Sequence, residues 1–284
     1  MNVVRASVMG YCMGVRRAVA LALKAAASSP KVCTLGHLIH NPQALESLRE
    51  QGVYALEWEG GIPRSLKDTA LVIRAHGIRP DLERRLARQG ALLVDATCPN
   101  VKRSQLKAKS LAERGYQVFL AGEKRHGEII GIQGYAPACF TVETCDEAAA
   151  AARGLCAAAA PPGKSALIGQ TTLSPEAYHA IAESIRQVIP DLAVIDTICK
   201  ATRERQAALR ALCRGVDAVV VAGGRESANT RGLLACAGGK PAWLVETEAD
   251  IPAEIARFRT VGLSAGASTP DAVIDEIERA LQSR

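Results

Sequence analysis

The chain has 284 residues, of which 48% are hydrophobic and 23% charged, with a formal net charge of +6. This composition is typical of a globular protein, and no apolar run reaches the roughly 20 residues that span a bilayer. Aromatic residues make up only 4% of the chain, which disfavours nucleic-acid binding by base stacking. The N-terminal stretch lacks a charged-then-apolar signal pattern, so we expect a cytoplasmic protein with no membrane partner.

The chain contains nine cysteines, but their number is odd and no C-x-x-C pair occurs. A disulfide framework is therefore disfavoured, as are a zinc ribbon and a thioredoxin-type site. The positive charge is mild and suits an anionic ligand or an acidic partner protein as well as nucleic acid.

The order of elements along the chain indicates one module used three times. Each module begins with a strand-like run that ends at a cysteine, namely VVRASVMGYC, ALLVDATC and LAVIDTIC. A helical pattern follows each cysteine and stops at Pro30, Gly115 or Gly215, as expected for C-terminal stops. Each cysteine is therefore expected at the N-terminus of a helix, where the partial positive charge favours a thiolate.

The second half of each module repeats as well. The residue 28 positions after the cysteine is His40, His126 or Ser227, and each lies in a polar loop after an apolar run. Another apolar run and loop follow, and a proline is then expected at the first position of a helix. These prolines are Pro80, Pro175 and Pro270.

Strands that alternate with helices predict α/β modules with small parallel sheets. Because an internal repeat fixes the architecture, we expect three lobes in a pseudo-threefold arrangement, with three thiols and three polar loops around one axis. The predicted lobes are 14–97, 98–198 and 199–284, the last completed by the N-terminal strand 1–13.

The repeat singles out Cys12, Cys98 and Cys199 as metal ligands. A lone cysteine is usually a small buried hydrophobic residue, which is how we interpret the other six. Three equivalent thiolates without a fourth protein ligand leave one metal position open, as in catalytic sites. Thiolates favour zinc, Cu(I) or an iron–sulfur cluster.

Polar residues in the repeated loops predict a site for an anion. His40, His76 and His126 lie in loops that the repeat places together. The segments GGRESANT and SAGAST add glycines, backbone N–H groups and polar side chains that bind phosphate oxygens. The side chains in these segments are Ser227, Asn229 and Ser268.

One acidic residue stands out because it lies inside this basic region. Glu128 comes two residues after His126. A carboxylate usually belongs to the solvated surface, but in a partly dry pocket it serves as a proton donor. Thr171 is a neighbouring hydroxyl that assists it.

These residues resemble the 4-hydroxy-3-methylbut-2-enyl diphosphate reductase (IspH/LytB) family. The matching strings, in the family's order, are GYCMGVRRA, LIHN, RAHG, DATCP, HGE, QTTLS, TICKATRERQ, GGRESANT and AGASTP. They run from residue 10 to residue 270 and so cover nearly the whole chain.

The resemblance implies three α/β lobes around one central 4Fe–4S cluster, held by Cys12, Cys98 and Cys199. It implies reductive removal of the allylic hydroxyl, giving isopentenyl and dimethylallyl diphosphate plus water, the last step of the methylerythritol phosphate route. Glu128 would be the proton source and Thr171 its relay, and electrons would come from ferredoxin or flavodoxin. The diphosphate would be held by His40, His76, His126, Ser227, Asn229, Ser268 and the backbone of Ala228.

Two positions depart from the family's pattern. Gly127 stands where the family usually has proline between its histidine and glutamate, and we expect it to loosen the loop that carries Glu128. Ala228 stands where the family commonly has a second serine. One hydroxyl donor is thereby lost, and a hydrogen bond to a charged group contributes roughly 1.5–3 kcal/mol.

Two other functions remain compatible with the residues alone. A zinc enzyme with the same thiols would hydrolyse a phosphorylated substrate and would need no electron donor. A non-catalytic iron–sulfur sensor would bind nucleic acid through basic faces, but the chain has few aromatic residues and no recognisable reading motif.

Overall fold

The computed structural model describes residues 1–56, 65–157 and 163–284. The chain divides into two compact units. Unit 1 comprises Met1–Gly60 and Lys200–Arg284, and unit 2 comprises Gly61–Cys199. No helix in the described ranges combines the length and the apolar character that crossing a membrane requires.

The described strands are β1 (Asn2–Arg5), β2 (Val32–Leu35), β3 (Val53–Leu56), β4 (Ala70–Ile73), β5 (Leu92–Asp95), β6 (Gln117–Ala121), β7 (Phe140–Val142), β8 (Ser165–Gly169), β9 (Ala193–Val194), β10 (Ala218–Ala222), β11 (Ala242–Val245) and β12 (Thr260–Ala265). The described α-helices are α1 (Met13–Ser28), α2 (Pro42–Glu50), α3 (Pro80–Arg88), α4 (Pro99–Glu113), α5 (Gly127–Gln133), α6 (Cys145–Cys156), α7 (Pro175–Arg186), α8 (Lys200–Cys213), α9 (Ala228–Ala235) and α10 (Asp271–Gln282). Short 3₁₀ turns cover Glu248–Asp250 and Ala253–Arg257.

Unit 1 contains a sheet in the order β1-β12-β10-β11, in which every pair is parallel. The sequence of β10, AVVVA, is buried throughout, as expected for an interior parallel strand covered on both faces. Val220 packs with Ile277 of α10, whereas Val221 packs with Leu209 of α8. Successive residues thus bury opposite faces of the sheet. Strands β2 and β3 form a separate parallel pairing in this unit.

Unit 2 repeats this plan with a parallel sheet in the order β7-β6-β8-β9. Phe119 of β6 packs with α7 through Ile185, whereas Leu120 packs on the opposite face with Ile129 of α5. Strands β4 and β5 form another parallel pairing in this unit.

The predicted α/β class with small parallel sheets is confirmed. The strands of the described ranges fall into three sets of four: β1 with β10–β12, β2–β5, and β6–β9. The three sets agree with the three predicted modules. The two compact units reflect the density of contacts, whereas the lobe boundaries at residues 97/98 and 198/199 come from the repeat and stay predictions.

The strands that lead to the cysteines are shorter than predicted. β1, β5 and β9 end at Arg5, Asp95 and Val194. After β5, the Asp95 carboxylate accepts a hydrogen bond from the Thr97 N–H (2.9 Å). After β9, Asp196 accepts one in the same way from the Ile198 N–H (3.2 Å). These local turns take the chain out of the sheet before it reaches the cysteine.

The predicted helix boundaries agree closely with the structure. Pro80 and Pro175 occupy the first positions of α3 and α7. Pro270 differs, because it is the N-cap of α10 and the helix begins one residue later. Gly115, just beyond α4, has a φ of 75°, a conformation that glycine adopts without strain.

Tyr178 ties α7 to the sheet of unit 2. Its side chain is buried, and its hydroxyl lies 3.0 Å from the Leu167 carbonyl oxygen and 2.7 Å from that of Ile195. We expect Tyr178→Phe to lower the free energy of unfolding by about 1 kcal/mol, the usual net contribution of one hydrogen bond. Urea denaturation measures the change. The control Tyr54→Phe removes an exposed hydroxyl, and an equal loss in both variants would contradict this role.

Candidate functional site

The three cysteines each lie at the start of a helix. Cys12 is the N-cap of α1, and its Sγ accepts a hydrogen bond from the Val15 N–H at 3.5 Å. Cys98 is the N-cap of α4, and Cys199 directly precedes α8. All three thiols are half-buried. The expected helix start therefore occurs at each cysteine, whereas the preceding strand ends earlier than expected.

One backbone hydrogen bond recurs at all three positions. The N–H of each cysteine donates to a carbonyl oxygen just beyond a neighbouring strand, at 3.0 to 3.1 Å. The acceptors for Cys12, Cys98 and Cys199 are Ala267, Ala75 and Thr171 respectively. This shared contact makes the three positions structurally equivalent, as the repeat predicts.

Glu128 is the buried carboxyl group of unit 2. It is the second residue of α5 and only 1% exposed. Its Oε1 accepts a hydrogen bond from the Thr171 N–H (2.7 Å), and its Oε2 accepts one from the Thr171 hydroxyl (2.9 Å). Burial raises the pKa of Glu128 to about 7, although the two hydrogen bonds act in the opposite direction. At neutral pH the carboxyl group is thus poised to hold or release a proton.

Thr171 connects this acid to one of the cysteines. Its N–H and hydroxyl donate to Glu128, while its carbonyl oxygen accepts the Cys199 N–H at 3.0 Å. A single residue therefore fixes the acid relative to the thiol position. Its neighbour Gln170, which the sequence reasoning did not single out, is also buried. Its Oε1 accepts from the Glu123 N–H (3.0 Å), and its Nε2 donates to the Thr172 hydroxyl (2.7 Å).

His76 and His126 form a pair beside the same acid. Their rings meet edge to face, with centroids 4.9 Å apart. His126 is the N-cap of α5, and its Nδ1 accepts a hydrogen bond from the Glu128 N–H at 3.2 Å. Because Nδ1 acts as an acceptor, this geometry assigns the proton of the neutral ring to Nε2, which leaves Nε2 as a donor.

Unit 1 contains a second polar cluster, formed by Ser227, Asn229 and Ser268. All three are buried. Ser227 is the N-cap of α9, and its Oγ accepts a hydrogen bond from the Ser268 hydroxyl at 3.5 Å. The Oδ1 of Asn229 accepts from the Ala267 N–H at 3.0 Å. Ala267 also accepts the Cys12 N–H, so it links this cluster to a cysteine as Thr171 does in unit 2.

His40 lies against the loop that leads to this cluster. A Cβ on Gly224 would overlap the carbonyl oxygen of His40. The close approach of the two backbones requires glycine, which the sequence GGRESANT supplies. Ala228, at the first position of α9, is also buried.

The predicted site residues are divided between the two units. Cys12, His40, Ser227, Ala228, Asn229 and Ser268 lie in unit 1, and Cys98, Cys199, His76, His126, Glu128 and Thr171 lie in unit 2. Within the described ranges, no group of three or more histidine, cysteine, aspartate or glutamate side chains is placed to hold a metal ion. The convergence of the three thiols therefore stays a prediction.

Comparison with known proteins gives a consistent result. The family model described as LytB protein matches residues 3–282. A 4-hydroxy-3-methylbut-2-enyl diphosphate reductase of Treponema denticola is 46% identical and covers 99% of both chains. One of Aquifex aeolicus is 35% identical over 99% of this chain and 96% of its own.

Two solved structures share the fold. The E-1-hydroxy-2-methyl-but-2-enyl-4-diphosphate reductase of Plasmodium falciparum has a TM-score of 0.88 at 26% identity, covering 98% of this chain and 87% of that one. A second reductase structure, described as the terminal enzyme of the non-mevalonate pathway, has a TM-score of 0.70 at 34% identity. It covers 100% of this chain and 99% of that one.

The contact between Gly224 and His40 can be tested by adding one methyl group. We expect Gly224→Ala to displace the His40 backbone and to lower the free energy of unfolding by about 1–3 kcal/mol, as other overpacking substitutions do. The midpoint of thermal unfolding reports this change. Gly154→Ala is the control, since a Cβ there meets nothing within 4 Å. Equal midpoints for the two variants would show that the close approach is unimportant.

Proposed function

The chain belongs to the LytB family, and from this membership we propose that it reduces 4-hydroxy-3-methylbut-2-enyl diphosphate to isopentenyl and dimethylallyl diphosphate. The enzyme is thus an oxidoreductase of the methylerythritol phosphate route to isoprenoids. The observation that carries the proposal is the contact of Glu128 with Thr171 and of the Thr171 carbonyl with the Cys199 N–H, which ties a buried acid to the backbone of a cysteine. A hydrolase or a nucleic-acid sensor leaves this family membership unexplained.

The reaction replaces a C–O bond of the allylic alcohol with a C–H bond. Two electrons and two protons enter, one proton leaves with the hydroxyl group as water, and the other ends on carbon. The protein must therefore hold the diphosphate, place a proton near the departing oxygen and admit electrons. The described residues supply groups for the first two tasks.

We assign one 4Fe–4S cluster to Cys12, Cys98 and Cys199. The donor set fits, because the three half-buried thiols occupy equivalent positions at the starts of α1, α4 and α8. Thiolates are the ordinary ligands of such clusters, and helix N-termini favour them. When bound, the cluster supplies electrons and an iron with an open coordination position.

Glu128 is the group that we assign as proton donor. Its burial excludes bulk water and keeps part of the population protonated at neutral pH. The Thr171 hydroxyl, 2.9 Å from Oε2, is placed to pass a proton onward from the carboxyl group. Glu128 is held by its hydrogen bonds to Thr171, so the acid is fixed despite the glycine that precedes it.

The diphosphate is assigned to polar groups of both units. Unit 1 offers His40, the hydroxyls of Ser227 and Ser268, the amide of Asn229 and the backbone of Ala228. Unit 2 offers His76 and His126, whose rings contact each other. These groups offer N–H and O–H donors that can bind phosphate oxygens. An external carrier, ferredoxin or flavodoxin, is the proposed source of electrons, and location in the cytoplasm stays a prediction.

Loss of the acid should remove turnover without removing binding. We expect Glu128→Gln to lower kcat about 100-fold or more, the usual contribution of a positioned general acid. Affinity for inorganic diphosphate, measured by calorimetry, should stay unchanged. Since the donor form is the protonated one, kcat of the wild type should fall as the pH rises through about 7. The control Glu113→Gln alters an exposed carboxylate of α4. Near-normal turnover of the Glu128 variant would place the acid elsewhere.

The cluster assignment predicts the iron content of single-cysteine variants. Anaerobically purified wild type should be brown and hold about four irons and four sulfides per chain. Cys98→Ser should contain markedly less iron, because serine is a poorer ligand for a soft metal centre. Cys139→Ser is the matched control, being a half-buried cysteine of the same unit. Full iron in the Cys98 variant would refute this ligand, and zinc in place of iron would refute the cofactor.

A further inference from the structure

Arg74 is a half-buried cation that forms no ion pair within the described part of the chain. It follows β4 directly and precedes His76 by two residues. Its Nε is buried and has no hydrogen-bond partner. Burial lowers the pKa of the guanidinium below its ordinary value, and no carboxylate in the described part of the chain offsets this effect. Arginine nevertheless remains charged in proteins, so Arg74 is a cation without an anionic partner among the described residues.

Gly127 provides the space in which this guanidinium lies. A Cβ at position 127 would stand 2.6 Å from Nη2 and 3.1 Å from Cζ of Arg74, and 3.4 Å from Cβ of His76. The backbone of Gly127 has no positive φ, so its conformation does not require glycine. The limiting factor is space, because any side chain at this position would meet the guanidinium.

The surroundings of Arg74 identify the chemical class of the missing anion. The guanidinium lies against Gly127, which stands between His126 and Glu128 in the sequence. The side chain of His76 borders the same space. An Arg side chain offers five N–H donors in a planar fork that matches phosphate oxygens. Burying a charge without a partner is unfavourable, and an oxyanion at this position would relieve that penalty.

We propose that Arg74 is a further binding residue for the diphosphate of the substrate. Its guanidinium occupies space that is open because Gly127 has no side chain. This proposal rests on the proposed function, which supplies the anion. It assigns the chain a fixed positive charge at the anion site, beside His76 and His126. It also gives Gly127 a role that differs from loosening the loop.

The first test measures binding of inorganic diphosphate to the cluster-containing protein by isothermal titration calorimetry. Arg74→Met should weaken binding about tenfold or more, since hydrogen bonds to a charged group contribute upwards of one factor of ten. Arg74→Lys keeps the charge and should restore part of the affinity. Arg85→Met removes an exposed arginine of α3 and should leave the affinity unchanged. With the substrate, Arg74→Met should raise KM more than it lowers kcat.

The second test concerns the space that Gly127 leaves for the Arg74 guanidinium. Gly127→Ala should weaken diphosphate binding in the wild type, because its Cβ displaces Nη2. In the Arg74→Met background it should have no further effect, since methionine ends short of the guanidinium position. Additive effects of the two substitutions would overturn the link between residues 74 and 127. If Arg74→Met does not fold, Arg74→Lys and Gly127→Ala carry the same test.

The outcomes separate this proposal from the proposed function. Unchanged diphosphate affinity in folded Arg74→Met, with normal iron content, would overturn the role of Arg74 while the reductase activity stands. Diphosphate binding that depends on Arg74, in a wild type that does not reduce the substrate, would instead refute the proposed function and keep the anion site.

Discussion

A backbone hydrogen bond, used three times, determines where the site residues lie. The N–H of a cysteine donates to a carbonyl just beyond a neighbouring parallel strand, so each helix begins at the carboxyl edge of a sheet, where α/β proteins bind ligands. Two of the three acceptor residues make a second contact. Thr171 also holds the buried acid, and Ala267 also holds the amide of Asn229. The same short loops therefore place a thiol and a reactive or binding group together.

Glu128 and Arg74, two ionisable groups of unit 2 with buried atoms, differ in how their burial is offset. Glu128 receives two hydrogen bonds from Thr171, yet burial still raises its pKa to about 7, so it carries a proton for part of the time. The buried Nε of Arg74 has no hydrogen bond that would offset its burial, and the guanidinium remains charged. In the proposed function the two groups have complementary roles, because Glu128 would supply a proton and Arg74 would bind the diphosphate.

Local patterns made much of this structure predictable. Prolines marked the starts of α3 and α7, apolar runs marked the buried strands, and each cysteine lies at a helix start as its flanking pattern indicated. Strand lengths were less predictable, because the Asp95 and Asp196 turns compete with the sheet through side-chain hydrogen bonds that periodicity does not contain. The burial of Arg74 could not be predicted from local sequence patterns, because it involves a contact with residue 127, far along the chain.

Gly127 departs from the family pattern, and its structural effect depends on Arg74, a residue that is distant in the sequence. Taken alone, glycine in place of proline suggests a looser loop. In the folded chain, the acid that follows is held by Thr171 and by the His126 side chain, so its aim does not depend on the residue at 127. What changes is the space beside the loop, which the Arg74 guanidinium occupies. A proline there would displace that guanidinium. Residues 74 and 127 therefore share one space in the fold, and if Arg74 binds the anion as proposed, the effect of substituting either depends on the other.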